Sequence, residues 1–220
     1  MTETSKPSNR NSVNGSNHSN NKIFCLMGPS SSGKDKIYKA LIADETLPVR
    51  EVVLYTTRPI RTGEQDGREY HFVTEDQYRA TEEAGKIIEV RTYNTAFGPW
   101  RYYTADDGQI DLSRASSLMI GTVEACCHIR DHFGAEAVEP FYIHVDDGER
   151  LARALKRERK QENPRYTEMC RRFIADEADF APDELEKCGI TAKNTFENTE
   201  GALDECVREI REAILTECRS

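Results

Sequence analysis

The stretch that decides the fold is Ile23-Phe24-Cys25-Leu26-Met27-Gly28-Pro29-Ser30-Ser31-Ser32-Gly33-Lys34. Its first five residues form a continuous apolar run, which is typical of a strand covered on both faces. After the final lysine, apolar residues recur at Ile37, Leu41 and Ile42, a spacing that predicts a helix. A strand therefore leads into a glycine-containing loop and a helix leads out of it, which predicts an α/β fold.

The loop fits the pattern Gly-x-x-x-x-Gly-Lys, with Gly28, Gly33 and Lys34 in the fixed positions. Glycines let backbone N–H groups close around phosphate oxygens, and the following helix adds a favourable dipole. The Lys34 ammonium would reach the β- and γ-phosphates of a nucleotide. The residues expected to bind the phosphates are Gly28, Pro29, Ser30, Ser31, Ser32, Gly33, Lys34, Asp35 and Lys36.

The residue after Lys34 departs from the usual pattern. Ser or Thr is expected there because its hydroxyl binds Mg²⁺, whereas this chain has Asp35. A carboxylate is an equally hard oxygen ligand, so Asp35 can bind Mg²⁺ directly or through water. The alternative is that an anion beside the phosphates weakens nucleotide binding. Because Lys34 is retained, we favour Asp35 as a Mg²⁺ ligand.

Further strands and helices alternate along the chain. Alternation of this kind predicts right-handed βαβ units on a parallel sheet. Between Pro59 and Thr104 the sequence pattern changes to short β-like segments around one helix, which predicts a small inserted subdomain. The predicted strands are 23–27, 51–55, 70–73, 86–91, 117–122, 140–145 and 189–192, and the predicted helices are 75–84, 123–133, 147–161, 166–180 and 198–216.

Composition excludes several classes of protein. The 220-residue chain carries a net charge of −9, which argues against a surface that binds nucleic acid or anionic membranes. No apolar run approaches the ~20 residues of a membrane span. Seven cysteines without a Cys-x-x-Cys pair indicate reduced thiols in the cytoplasm. We expect no nucleic-acid or membrane partner, and the sequence does not indicate the oligomeric state.

Residues 1–21 differ from the rest of the chain. They are rich in Ser and Asn and lack the apolar segment of a signal peptide. So few apolar side chains cannot bury enough surface to fold. The sequence therefore predicts a disordered tail over 1–21, followed by one domain over 22–218.

A second candidate anion site is the run Thr56-Thr57-Arg58-Pro59-Ile60-Arg61-Thr62-Gly63-Glu64-Gln65-Asp66-Gly67-Arg68-Glu69-Tyr70-His71-Phe72. The guanidinium groups of Arg58 and Arg61, three residues apart, can both donate hydrogen bonds to one phosphate group, and the Tyr70 hydroxyl is a further donor. The alternative is a solvated, charged hairpin without a ligand.

The loop and this arginine-rich run together resemble the guanylate kinase family, over roughly residue 22 to the C-terminus. The resemblance implies a three-layer P-loop fold with a parallel β-sheet, a small inserted mixed α/β subdomain and a helical lid. It also implies the reaction ATP + GMP → ADP + GDP, with ATP as co-substrate bound at the loop and Mg²⁺ as cofactor. The expected bounds are 22–57 and 105–218 for the core, about 58–104 for the acceptor-binding subdomain and about 156–172 for the lid.

The resemblance further implies the residues that bind the acceptor. The two arginines and the tyrosine of the second run would hold the phosphate of GMP, and Glu89 matches the glutamate that reads the guanine edge. The family's Tyr-Gly-Ser/Thr motif matches either Phe97-Gly98-Pro99 or Tyr102-Tyr103-Thr104. The expected acceptor residues are Arg58, Arg61, Glu64, Tyr70, Glu89, Tyr103 and Thr104.

Other positions depart from the family. Leu54-Tyr55 replaces a serine pair, and both aspartates of the Ile-Leu-Asp-x-Asp strand end are missing around Gly121 unless Glu124 substitutes for one. Two alternatives therefore stay open: a kinase for another nucleoside monophosphate, and a non-catalytic module that binds a phosphorylated or acidic segment of a partner protein. Retention of Lys34 favours an enzyme.

The segment 150–172 carries nine basic and three acidic residues inside a chain of net charge −9. A charge run of this kind is often only a solvated helix face, but phosphoryl transfer needs cations around the shared phosphates. By resemblance, Arg157 or Arg159 on the entering side of the lid and Arg172 on the leaving side would act in catalysis. Asn194 resembles an asparagine near the donor adenine.

Overall fold

The structure is a computed structural model that describes residues 20–95 and 98–219. The predicted tail, apart from its last two residues, lies outside these ranges, and so does Phe97 of one candidate motif. Asn21, at the end of the expected tail, donates its side-chain amide to the Leu112 carbonyl oxygen at 2.8 Å. No helix in the described ranges is long and apolar enough to cross a membrane.

The strands and helices alternate much as expected. In chain order they are β1 (Ile23–Met27), α1 (Lys34–Ile42), β2 (Val49–Glu51), β3 (Tyr55–Thr56), β4 (His71–Phe72), α2 (Glu75–Glu83), β5 (Ile87–Thr95), β6 (Gly98–Ala105), β7 (Ser116–Ile120), α3 (Val123–Phe133), β8 (Val138–His144), α4 (Asp147–Glu158), α5 (Tyr166–Asp179), α6 (Pro182–Lys187), β9 (Thr195–Glu197) and α7 (Leu203–Glu217).

A five-stranded parallel sheet with the order β2-β7-β1-β8-β9 forms the centre of the molecule. Because side chains alternate along a strand, Phe24 and Leu26 of β1 pack with α1 and α7 on one face. Ile23, Cys25 and Met27 pack with α3 and α6 on the other face. The sheet is therefore covered on both faces, which confirms the predicted α/β P-loop fold with its parallel sheet.

A second sheet with the order β4-β3-β6-β5 forms the small mixed α/β unit. Its core is Tyr103, whose ring lies 5.3 Å from that of Tyr78 on α2 and 5.0 Å from that of Tyr55 on β3. Strand β6, which pairs with β5 in a long hairpin, was not among the predicted strands. The strands of this sheet lie between Tyr55 and Ala105.

The predicted single strand at 51–55 is wrong, because this segment connects two short strands that belong to different sheets. β2 ends at Glu51 and pairs with β7 in the central sheet, whereas β3 begins at Tyr55 in the small sheet. Between them, the Val52 N–H donates to the Leu118 carbonyl and the His71 N–H donates to the Leu54 carbonyl. An apolar segment that passes from one sheet to the other has the same sequence pattern as a single strand.

The C-terminal third also differs from the expectation. The predicted strand at 189–192 is wrong, because this segment is the turn after α6, a helix that was not predicted. The last strand is β9, and α7 begins at Leu203 rather than at 198. The helices α4 and α5 contact each other beside the glycine-containing loop and form the helical arm in which the lid was expected.

Candidate active site

The loop between β1 and α1 is held in a conformation that only glycine adopts easily at its end. Gly33 has a φ of 90°, and a Cβ atom there would collide with the Asn198 side-chain amide. Ser31 also has a positive φ of 67°. The N–H of Ser32 donates to the Pro29 carbonyl at 3.1 Å, which closes the loop above the N-terminus of α1.

Two buried hydroxyls of this loop have no protein partner in the described ranges. These are Ser31 Oγ and Ser32 Oγ, both almost inaccessible to solvent. Buried polar atoms are normally hydrogen-bonded, so their lack of a partner here indicates a place where a ligand or water supplies the contact. The loop therefore has both the shape and the unmet hydrogen-bonding capacity of an anion site.

A cavity of about 580 Å³ opens on one side of Lys34. The basic side chains on its wall come from α1, from α4 and from the turn just after α4, and residues of the loop after β9 also line it. Such a concentration of cations suits a polyphosphate. The basic lining residues are Lys34, Lys36, Arg153, Lys156, Arg157 and Lys160.

A second cavity of about 310 Å³ lies on the other side of Lys34, toward the small sheet. Lys34 and Asp35 line both cavities, and the Lys34 Nζ is 3.8 Å from the Asp35 Oδ1. Tyr70, Arg91 and Tyr102 contribute polar groups to its wall. The two cavities therefore meet at the first two residues of α1.

The structure places Arg58 beside this smaller cavity but not on its wall. Its guanidinium pairs with the Glu64 carboxylate at 2.6 and 2.8 Å and lies over the rings of Tyr70 and Phe72. The pairing lowers the pKa of Glu64 from 4.5 to about 2. Arg61 donates its backbone N–H to Glu64 at 2.8 Å while the residue itself is exposed. These three predicted acceptor residues thus form one bonded cluster.

Tyr70 was predicted to hold the phosphate of the acceptor. It lines the smaller cavity, and its ring meets that of Tyr102 edge-on at 5.5 Å. Burial raises the pKa of the Tyr70 hydroxyl, so the hydroxyl stays protonated and can donate to an anion.

Tyr103 does not reach the site, which corrects the prediction. It is only 1% exposed and packs inside the small sheet. Neighbouring residues on a strand point to opposite faces, so Tyr102 lines the cavity instead. Thr104 lies on the same face as Tyr102 but is buried, and its hydroxyl donates to Glu89 at 2.8 Å.

Glu89 is also more deeply buried than the resemblance implies. Its side chain is inaccessible and pairs with Arg91, whose Nε lies 3.1 Å from the Glu89 Oε2. Arg91 lines the smaller cavity, whereas Glu89 does not. Sequence reasoning missed Arg91 and Tyr102, although the period of two along a strand places Glu89 and Arg91 on one face.

The lid arginines are only partly where they were expected. Arg157 lines the larger cavity. Arg159 ends α4 on an exposed position off the cavity wall, and Arg172 on α5 pairs with Glu168 with its side chain 59% exposed. The side chains that do line the cavity recur at 153, 156, 157 and 160, the spacing of one helix face. This period was the signal that would have found them.

The helical arm contacts the loop directly. The Ser30 N–H donates to the Asp176 carboxylate of α5 at 2.8 Å. Arg150 of α4 is 4% exposed, pairs with Asp147 at 2.7 Å and with Glu177 at 3.0 Å, and lies over the Phe173 ring. One backbone N–H of the loop between β1 and α1, hereafter the anion loop, is thus already hydrogen-bonded to an acidic side chain.

Asn194 was expected near the donor adenine, but it does not line the larger cavity. Its side chain accepts from the Thr191 N–H at 2.6 Å and donates to the Gly189 carbonyl at 3.1 Å. Asn198, four residues later, lines the larger cavity, and its amide donates to the Ser32 carbonyl at 2.7 Å. The sequence has two asparagines around β9. Only the fold shows that Asn194 stabilises a turn and that Asn198 lines the cavity.

Comparison with known proteins finds similarity to one family. The guanylate kinase family model matches residues 20–102. A guanylate kinase of Cupriavidus pinatubonensis is 43% identical over 67 residues, covering 30% of this chain and 31% of the relative. One from Nitrosococcus oceani is 40% identical over 90 residues, covering 41% and 42%, and one from Symbiobacterium thermophilum is 36% identical over 105 residues, covering 44% and 49%. The matches thus span 31–49% of the length of these curated relatives.

The fold likeness extends further than the sequence likeness. The crystal structure of a guanylate kinase from Anaplasma phagocytophilum matches 92% of this chain and 88% of its own with a TM-score of 0.58. The sequence identity over that match is 18%, so the likeness shows a shared fold.

Proposed function

We propose that the chain is a member of the guanylate kinase family, whose model matches residues 20–102, and that it is a nucleoside-monophosphate kinase that transfers the γ-phosphate of ATP to GMP. The observation that carries the proposal is the meeting of two cavities at Lys34 and Asp35. A triphosphate in the larger cavity and a monophosphate in the smaller one would bring donor and acceptor phosphates together there.

Positioning and charge neutralisation would supply the catalysis. The acceptor is already an ionised phosphate, so no general base is needed. Lys34 stands where donor and acceptor charges meet, and Arg153 and Arg157 of α4 face the same donor cavity. We assign stabilisation of the transition-state charge to Lys34 and Arg157. Arg153 already donates to the Glu149 carboxylate and the Asn198 carbonyl, and Arg159 and Arg172 lie off the wall.

Asp35 has the properties of a magnesium ligand. Its side chain is 77% exposed, and it lines both cavities. Mg²⁺ prefers to keep most of its waters and to bind one or two carboxylates plus substrate phosphates, so a single carboxylate at this place fits the ion. When bound, the ion would neutralise charge on the transferring phosphoryl group.

One feature favours a second candidate, the same transfer to a different nucleoside monophosphate. Leu54 and Gly121 line the smaller cavity where the family resemblance leads one to expect polar groups for guanine. A site that lacks hydrogen-bond partners for a base discriminates poorly against other bases.

The test is a transfer assay with purified chain, Mg²⁺–ATP and a panel of GMP, AMP, CMP and UMP, following ADP and the diphosphate product. We expect GMP to react at least about tenfold faster than AMP, as hydrogen-bonded readout of a base provides. Equal rates for GMP and AMP would replace the first candidate by the second. A chain that transfers phosphate to none of the four is not a kinase of this class, and the non-catalytic module then takes its place.

A further inference from the structure

Arg91 is an arginine on the acceptor side for which the sequence motifs provide no role. It lies on β5 directly opposite Tyr102 of β6 in the antiparallel ladder, and both line the smaller cavity together with Tyr70. Its side chain is 12% exposed, so the guanidinium is largely enclosed yet reaches the cavity wall.

Two buried side chains fix the direction of this guanidinium. Glu89 accepts from Arg91 Nε at 3.1 Å and from Nη2 at 3.4 Å, and Thr104 donates to Glu89 at 2.8 Å. An arginine has five N–H donors, so this one-sided pairing leaves donors for a second anion. Within residues 20–95 and 98–219, no hydrogen bond from Nη1 is present.

The other predicted phosphate ligand is already engaged. The Arg58 guanidinium is bonded to both oxygens of Glu64 and to the Pro59 carbonyl, and it is not on the cavity wall. Arg91 lies on the cavity wall with Tyr70 and Tyr102, whose rings meet edge-on. These three side chains therefore line the same cavity, whose wall also carries Arg68 and the carboxylates of Asp35, Glu51 and Glu69.

We propose that Arg91 binds the phosphate group of the acceptor and that Glu89 and Thr104 position it, an inference that rests on the proposed kinase function. A guanidinium fork held by a buried carboxylate matches two phosphate oxygens, with the tyrosine hydroxyls as further donors. In this arrangement Glu89 acts on the acceptor through Arg91, and readout of the base falls to other residues of the cavity wall.

The test compares a nucleotide with its nucleoside, because only the nucleotide carries the phosphate. Calorimetric titration measures the affinity of the wild-type chain and of Arg91→Met for GMP, guanosine and ATP. We expect Arg91→Met to weaken GMP binding about 10- to 100-fold, as loss of a charged hydrogen bond does, with guanosine and ATP binding unchanged. Arg79→Met, an exposed arginine on α2 in the same small unit, is the matched control and binds all three ligands as wild type.

Glu89→Gln separates the positioning role from base readout. If Glu89 positions Arg91, GMP affinity falls while guanosine affinity stays at the wild-type value. A fall in guanosine affinity of the same size would mean that Glu89 reads the base, and the positioning role is then wrong. An unchanged GMP affinity in Arg91→Met overturns the phosphate role.

Removing Arg91 alone leaves a buried carboxylate unpaired, which can unfold a protein. The double variant Glu89→Gln/Arg91→Met removes both charges and is titrated in the same way, with thermal unfolding as the check on its fold. The same pairs of nucleotide and nucleoside are run for adenine, cytosine and uracil. Binding of no monophosphate by the wild type overturns the kinase function together with this inference, whereas tight binding that does not depend on Arg91 overturns this inference alone.

Discussion

In the proposed kinase, Lys34 is the residue shared by the ATP and GMP halves of the site. Its ammonium stands at the boundary of both cavities, with its side chain 25% exposed. A cation at the point where donor and acceptor phosphates meet stabilises charge that develops in the transition state more than charge in either bound substrate.

Lys34→Met is therefore expected to lower kcat by about a hundredfold or more while the chain stays folded. Steady-state kinetics with thermal unfolding measures both effects. Lys39→Met, an exposed lysine in the last turn of α1, is the control with the same charge change. A kcat within threefold of the wild type would contradict the place given to Lys34.

The Arg58–Glu64 ion pair makes the free energy of unfolding depend on pH. Because Arg58 lowers the pKa of Glu64 from 4.5 to about 2, the carboxylate binds its proton more weakly in the folded chain than in the unfolded one. The resulting stabilisation is complete above about pH 4.5 and is lost as the pH falls toward 2.

Urea unfolding at successive pH values tests this. Glu64→Gln is expected to be less stable than wild type at pH 7 and to lose less of its stability between pH 5 and pH 2. Glu45→Gln, at an exposed position after α1, should follow the wild-type curve. If the stability of Glu64→Gln and of the wild type changed in parallel with pH, the Arg58–Glu64 pair would not contribute to the pH dependence of stability.

Among the elements, those set by local sequence were predictable and those set by tertiary contacts were not. The β1–loop–α1 unit carries its own signals, since an apolar run, two glycines and a helical period follow one another directly. The division of 51–55 between two sheets depends on partners at Leu118 and His71, which are distant in sequence. The face of α4 was readable from its period, but α5 and its pairs were needed to see that Arg172 points elsewhere.

The loop after β9 shows the same limit at the site. Asn194 holds its own turn, whereas Asn198 reaches across to the Ser32 carbonyl of the anion loop. No local pattern distinguishes the two residues. Their contacts differ because β9 lies at the sheet edge next to β8, which brings the end of β9 toward the loop.

Asn198→Ala is expected to raise the KM for ATP about fivefold or more, since one hydrogen bond that shapes the anion loop is lost. Asn194→Ala should instead lower the melting temperature and leave the KM for ATP unchanged, because its bonds lie within a turn. Kinetics and thermal unfolding of the two variants provide the comparison. An equal rise in KM for both would argue against the assignment of Asn198.

For the molecule as a whole, charge is distributed very unevenly. A chain of net charge −9 places six basic side chains around one cavity. A small phosphate in this cavity would meet a positive electrostatic potential that the net charge of the chain does not reveal. Composition argued against polyanion surfaces, but only the fold shows which of the basic residues of 150–172 line the cavity and which face solvent.

The shared wall of the two cavities also makes their ligands thermodynamically dependent on each other. Any factor by which ATP changes the affinity for GMP must equal the factor by which GMP changes the affinity for ATP. With Lys34 between them, mutual repulsion of the two anions is offset, so in the wild type each ligand should bind nearly as well in the presence of the other. In Lys34→Met the repulsion is uncompensated, and the affinity for GMP measured with a non-hydrolysable ATP analogue should fall below that measured without it. Equal affinities in that variant would mean that the two cavities act as independent compartments.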